Sequence, residues 1–308
     1  MEIVKKRKYS IGYTLKEMNS HKSEYLMILP YMLLFIFFTV LPVLTSIILG
    51  FTDYNLLQMP DFVGLDNYIN LFLNDDIFII AAKNTLIFAV VTGPISYFGC
   101  LFLAWVVNEL PPLLRTFMTF LFYAPSISGS LYLIWSFIFS GDIYGWANGL
   151  LMDIGAISSP ISWLSDARYM NIIVMIVQIW MSFGTGFLSF VAGLQGIDRN
   201  LYEAGAIDGV SNRFQELIYI TLPSMGPQLM FGAVMQISSS FSAGAVSAAL
   251  CGNPSTDYAA TTIINHISDY GTVRYEMGYA SAMATLLFVV MILMNSIISK
   301  VLKKYTSC

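Results

Sequence analysis

The strongest constraint on this chain is an absence. Six runs, about 26–50, 80–107, 113–139, 170–194, 225–250 and 278–302, are long and apolar, and their middles carry no Asp, Glu, Lys, Arg or His. A bilayer core about 30 Å thick takes roughly 20 predominantly apolar residues per helix, and a helix satisfies its own backbone polar groups in lipid. The 308 residues are 56% hydrophobic and only 11% charged, against about 25% charged in soluble domains. Such a chain cannot solvate its own surface in water. The expectation is an all-α, polytopic membrane protein with six transmembrane helices. The stretch 143–165 is apolar in places, but Asp153, Pro160 and several Gly and Ser residues point to an interfacial loop with a short amphipathic helix.

Orientation follows from the basic residues, which favour the cytoplasmic side. Lys5, Lys6, Arg7, Lys8, Lys16, Lys22, Arg115, Arg199, Arg213, Lys300, Lys303 and Lys304 fall on one side of the six-span arrangement. The other side holds only Lys83, Arg168 and Arg274, against Asp53, Asp61, Asp66, Asp75 and Asp76. Both termini are therefore expected in the cytoplasm, with a basic tail over 1–25, the membrane domain over 26–302 and a short tail over 303–308. The first apolar run is too long for a signal peptide core and ends in no A-x-A site, so it reads as an uncleaved helix.

Several chemistries are excluded. Proton- or ion-coupled transport and intramembrane catalysis usually need ionisable groups at membrane depth, and the span middles have none. His21 and His266 have no evident metal partners, and Cys100, Cys251 and Cys308 are too few and too scattered for a disulfide framework or a zinc site. No phosphate-binding G-x-x-x-x-G-K-[ST] loop is present, and no basic run with interleaved aromatics points to nucleic acid. The expectation is no catalytic residue, no metal and no cofactor on this chain, so that any energy comes from a partner.

One polar segment stands out between the fourth and fifth runs: YEAGAIDGVSNRFQELIYITLP, residues 202–223. Glu203, Ala204, Gly205 and Ala206 read as a short helix with small residues open to a partner. Gly209 permits a turn at positive φ. Phe214, Leu217 and Ile218 form an apolar stripe at helical spacing, and Leu222-Pro223 is expected to end this second helix and start span five. Spacing alone leaves two readings open: a connector lying on the membrane, or a surface for a soluble motor.

Here the chain resembles the inner-membrane permease subunits of binding-protein-dependent ABC importers, whose cytoplasmic signature is E-A-A-x-x-x-G, about nine residues, then I-x-L-P. Glu203-Ala204-Gly205, Asp208-Gly209 and Ile220-Thr221-Leu222-Pro223 match in spacing, with Gly205 where the pattern has Ala. Gly costs a helix about 1 kcal/mol relative to Ala. FVGLDNYINLF (62–72), NTLIF (84–88), NGLLMDIGAISSPISWL (148–164), LQGIDRNLYEAGAIDG (194–209) and GYASAMA (278–284) resemble the maltose-type sugar permeases, over about residues 25–302. After span five the chain departs from their T-x-G-G-P, with Gly252-Asn253-Pro254 instead.

The resemblance implies the fold of an importer permease, in a bacterial cell (cytoplasmic) membrane. It implies half of a carbohydrate pathway, a second permease of a different chain, two ABC ATPases that carry ATP and Mg, and an extracytoplasmic binding protein. Segment 198–223 would be the coupling segment, with Glu203, Ala204, Gly205, Ala206, Asp208, Gly209, Phe214, Leu222 and Pro223 at the ATPase contact. Sugars are held by aromatic faces and uncharged polar groups. The pathway candidates are therefore Tyr123, Ser126, Trp135, Gln178, Trp180, Ser182, Gln236, Ser238, Ser239, Ser240, Phe241 and Asn295, each weighed against ordinary helix packing. Gln236, Ser239 and Ser240 are the favoured set within span five. Alternatives are the same machinery carrying a polyol, a glycerol phosphate or an oligosaccharide fragment. An ion-coupled secondary carrier would leave the 202–223 motif unexplained.

Overall fold

The computed structural model describes residues 21–129 and 131–306. Residues 1–20 of the expected basic tail and residues 307–308 at the other end lie outside the described residues. Helix α1, Lys22–Leu49, contains Pro30 and a π-turn over Ile36–Val40. None of its apolar window is buried within the chain; only its second half packs, against the last helix. It leads through Gly50 to a loop carrying α2, Asp66–Leu73. Asn67 ties this loop down, its Nδ2 donating to the carbonyls of Gly50 (3.0 Å) and Thr52 (2.8 Å).

Helix α3, Asp76–Asn108, is the longest. The Asp75 side chain caps it by accepting from the Phe78 N–H at 2.8 Å, which satisfies one of the orphan donors of the first turn. The rest of the expected third run, 113–139, is not one span. Helix α4, Pro112–Ile127, stops with Pro125 in its last turn, and the chain turns extended at Ser128 (φ −93°, ψ 99°). A separate short α5 follows, Leu133–Ile138. Pro removes a ladder donor and clashes with the preceding turn, and the S-I-S-G sequence around it has no strong helix former to resume with.

The loop after α5 holds α6, Trp146–Asp153, the short helix expected within 143–165. Its hub is fully buried Asn148. Nδ2 donates to the carbonyls of Ser140, Asp142 and Ile161, while Oδ1 accepts from Ile161 N–H and the Trp163 indole N–H. One amide thus joins Ser140, Asp142, Ile161 and Trp163 in a single knot.

The expected fourth run is two helices, α7 (Ala167–Met181) and α8 (Thr185–Gln195), bent by 41° at the break. Polar α9 (Arg199–Ile207) and α10 (Arg213–Glu216) follow. Then come α11 (Gly226–Phe241), α12 (Gly244–Cys251), α13 (Ile263–Ser268) and α14 (Met277–Thr306). Helix α14 runs through the first residues of the expected 303–308 tail. Among the described residues four helices are long and apolar enough to cross a membrane, and the bent α7–α8 pair makes a fifth if it counts as one span. The expectation of six unbroken helices is corrected in this sense: the third run is interrupted at Ser128 and the fourth at Ser182–Gly184.

The centre of the bundle is α3, α8, α11 and α14. Phe187, Phe190, Met225, Leu229, Cys100 and Ala104 form its core toward one end, and Phe78, Phe241, Met283 and Leu287 toward the other. A Cβ at Gly232 would collide with the Phe190 ring, so glycine there lets α8 and α11 approach closely.

The two ends differ in kind. The end with Asp75 carries a buried polar junction. Asp75 accepts from Tyr279 Oη (3.0 Å) and pairs with His266 Nε2 (2.9 Å), and the two paired side chains are 8% and 3% exposed. Burial pushes the Asp75 carboxyl up, but His266, the Phe78 N–H and Tyr279 outweigh it and hold the carboxyl below its ordinary range. Beside it, Asn84 Nδ2 donates to the carbonyls of Tyr258 (3.1 Å) and Thr261 (3.0 Å), and the Ile263 N–H donates to Thr85 Oγ1 (2.9 Å). These bonds fasten the whole 253–276 loop onto α3. The opposite end carries Arg115, Arg199 and Arg213.

Candidate functional site

Segment 198–223 folds as a helical hairpin. Asp198 caps α9 by accepting from the Asn200 N–H (3.0 Å), and Asn212 caps α10 by accepting from the Gln215 N–H (2.8 Å). Between them Gly209 sits at φ +92°, the left-handed region that glycine enters without a Cβ penalty, as expected. Gly205 is buried, and a Cβ there would meet the tip of the Ile220 side chain, Cδ1, which would have to turn aside. Its departure from the Ala of the signature coincides with Ile220 folding back over α9.

Leu222-Pro223 does not end the second helix as expected. The helix passes through a π-turn at Leu217–Thr221 and resumes over Leu222–Ser224, with Pro223 in the first turn of that piece. There its missing N–H costs little. The bend into α11 comes afterwards, at Met225 (φ −98°, ψ 17°).

The hairpin is held at its base. Tyr202 Oη lies 2.9 Å from Thr221 Oγ1, closing the two arms on each other. Arg213 bridges to Glu216 (2.8 Å) within the hairpin and to Glu109 (3.4 Å) just past α3. The opposite face is open. Glu203, Ala204, Ala206 and Asp208 are exposed, and Ile207 (88%), Phe214 (64%) and Tyr219 (69%) present large apolar side chains. Sequence reading singled out Phe214 but missed Ile207 and Tyr219. Their signal was weak, since an apolar residue beside a glycine turn (Ile207) or within a run of apolar residues (Tyr219) reads equally as core.

The pathway candidates do not share one chamber. Trp135 stacks on Phe139 (5.8 Å) and meets Trp180 edge-on (5.5 Å), away from the hairpin. Gln178 Nε2 donates to the Ser239 carbonyl (2.8 Å) and toward its Oγ (3.3 Å), joining α7 to α11. Buried Gln236 Nε2 donates to the Ser182 carbonyl (3.1 Å) and toward Cys100 Sγ (3.2 Å), while its Oε1 is buried with no partner. Ser182 Oγ meets Ser96 (2.6 Å), and Ser240 Oγ returns to the Gln236 carbonyl (2.7 Å). Gln236, Ser239 and Ser240 are thus directed at α3, α7 and their own helix rather than at one common space. Gln236 and Ser240 also border an apolar cavity of about 390 Å³ between α3, α11 and α14. Tyr123 borders another, of about 300 Å³, with Thr119 and Gln195 between α4 and α8. Asn295 lies on α14, and its Oδ1 is buried without a partner. Ser126 donates to the Tyr123 carbonyl (2.9 Å) at the end of α4.

Comparison with known proteins places this architecture. The family model for a binding-protein-dependent transport system inner membrane component matches residues 97–306. The probable ABC transporter permease protein YesP of Bacillus subtilis is 31% identical over 280 residues, covering 90% of this chain and 89% of YesP. The arabinooligosaccharides transport system permease protein AraP of the same organism is 28% identical over 277 residues, covering 89% and 87%. A solved chain of a bacterial alginate ABC transporter, in complex with an alginate pentasaccharide-bound periplasmic protein, superposes with a TM-score of 0.75 at 24% identity, over 92% of this chain and 94% of that one. The chain therefore belongs to the inner-membrane components of binding-protein-dependent transport systems: it is a multi-pass, non-catalytic permease subunit of an ABC transporter.

Proposed function

We propose that this chain forms half of the translocation pathway of a carbohydrate importer and that the 198–223 hairpin couples it to a cytoplasmic ATPase. The observation that carries the reading is the hairpin's division into two faces. Its two arms are closed on each other by Tyr202–Thr221; Arg213 ties it to Glu109 at the end of α3, and its second arm runs on through Met225 into α11, so a displacement of the hairpin reaches α3 and α11. Its outer face leaves Ile207, Phe214 and Tyr219 uncovered beside Glu203. Exposed apolar side chains with a polar rim mark a protein contact. The Lys/Arg asymmetry puts this end, and both termini, in the cytoplasm, with six crossings that count α4–α5 and α7–α8 as one interrupted span each.

In this assembly a second permease completes the pathway, two ATPases hold ATP and Mg, and a binding protein delivers substrate to the acidic end. ATP-driven closure of the ATPases moves the hairpins and rocks the spans. The carbohydrate class is supported by relatives such as AraP and by span middles without fixed charge. Tyr123, Trp135, Gln178, Trp180, Gln236, Ser239, Ser240 and Asn295 remain the pathway candidates.

A cysteine at Ile207, in an otherwise active complex, should cross-link to a cysteine on the ATPase surface. Cysteines at Ser211 and Ser159 should label from opposite sides of the membrane. Absence of the cross-link in a complex that takes up sugar, or labelling of both positions from one side, overturns this arrangement.

A further inference from the structure

The hairpin does not lie flat on the bundle. Between it and the ends of α3, α4 and α8 opens a cavity of about 570 Å³, within the range of about 300–1,000 Å³ typical of small-molecule sites. It adjoins the Tyr123 cavity, since Arg115 and Gln195 line both. The cleft under the hairpin is the larger of the two.

The walls suit a neutral polyhydroxylated ligand. The rings of Trp105 and Tyr202 offer flat apolar area, and Asn108 and Gln195 bring uncharged donors and acceptors. Arg115 donates through Nη2 to the Leu110 carbonyl (3.1 Å), but its Nε is buried with no partner. Arg115 lines the cavity, and its guanidinium brings N–H donors to that wall. The charged side chains of the wall balance: Glu109, Glu203 and Glu216 against Arg115, Arg199 and Arg213. A site built for an anion would carry an excess of positive charge.

We propose that this cleft is a second carbohydrate site, at the cytoplasmic mouth of the pathway, in which the sugar stacks on Trp105 and bonds to Asn108, Gln195 and Arg115. The inference rests on the transport reading above. Tyr202, Glu203 and Arg213 belong to the coupling hairpin, so occupancy is sensed by the segment that contacts the ATPase.

The test uses the complete complex in nanodiscs, without ATP or binding protein. The probes are radiolabelled arabinotriose, lactose, maltotriose and cellobiose, whichever the same complex takes up in proteoliposomes. The imported probe should bind, and Trp105→Ala should weaken binding about tenfold, the loss of roughly 1.4 kcal/mol of contact. Trp105→Phe should keep most of it, and Asn108→Ala should weaken it several-fold. Asp153→Asn, at an exposed position of α6 outside the cleft and the pathway candidates, should leave this binding intact. Equal binding by wild type and Trp105→Ala, an equal loss in Asp153→Asn, or no binding of a probe that is taken up overturns the second site. Preference for glycerol 3-phosphate over every neutral probe overturns its chemistry. Uptake of none of the sugars overturns the transport reading itself, and the site with it.

Discussion

The two ends of the molecule solve opposite problems with similar residue types. At the acidic end charge is turned inward: Asp75, His266 and Tyr279 form a nearly dry junction that locks the 253–276 loop to α3 and α14. At the basic end charge sits at the rim and apolar residues face out: Arg213 is paired in the open, while Ile207, Phe214 and Tyr219 have nothing on them. Buried polar bonds are costly to break one at a time and so favour a single arrangement. Exposed ion pairs and uncovered side chains tolerate displacement. The acidic end is built to hold its shape, and the basic end to be held by something else.

The largest effect should come from breaking the inner junction. Asp75→Ala leaves the Phe78 N–H, Tyr279 Oη and His266 Nε2 without their acceptor. At about 1–3 kcal/mol per stranded buried group, thermal unfolding of the purified complex should shift clearly downward. An unchanged melting profile would mean that the junction is not the rigid end.

Gly209→Val tests the other end. Nothing lies within 4 Å of the added Cβ, so the cost is the strain at φ +92°, about 1–3 kcal/mol and local to the hairpin. Uptake and binding-protein-stimulated ATP hydrolysis should fall together while the melting profile stays near wild type. Normal stimulated hydrolysis in a well-expressed variant would detach the hairpin from coupling.

Gln236→Ala lies between the two ends. It removes donors to Ser182 and Cys100, each net contact worth about 0.5–1.5 kcal/mol. Sugar uptake should fall several-fold with basal ATPase activity retained, and the triple alanine variant at 236, 239 and 240 should fall further. If the triple variant melts earlier yet transports normally, these residues only pack helices. The smallest effect belongs to Glu109→Gln, which breaks a half-exposed bridge to Arg213. Such pairs contribute about 0–1 kcal/mol, and coupling measured as sugar moved per ATP should change less than twofold. A larger loss would show that Arg213–Glu109 transmits force and does not merely fasten the hairpin.

The positions of most spans and the turn at Gly209 were readable along the chain. Each depends on local composition or on one residue's allowed φ. The helical hairpin at 198–223 was readable for the same reason, because its residues are contiguous. The breaks at Ser128 and Ser182–Gly184 were harder to see: hydropathy averages over a window, and a few Ser and Gly residues barely lower it. The partition of the polar candidates was not legible. Gln178, Gln236 and Ser240 have the composition of a sugar path, and only the neighbours decide whether an amide faces a passage or joins two helices. Likewise Asp75 and His266 are 191 residues apart, and no spacing rule brings such a pair together. Sequence by itself determined what the membrane and local backbone sterics demand of each segment. The tertiary structure alone decided which polar groups meet, because a buried hydrogen bond requires both partners at about 3 Å, and that distance depends on how the helices pack.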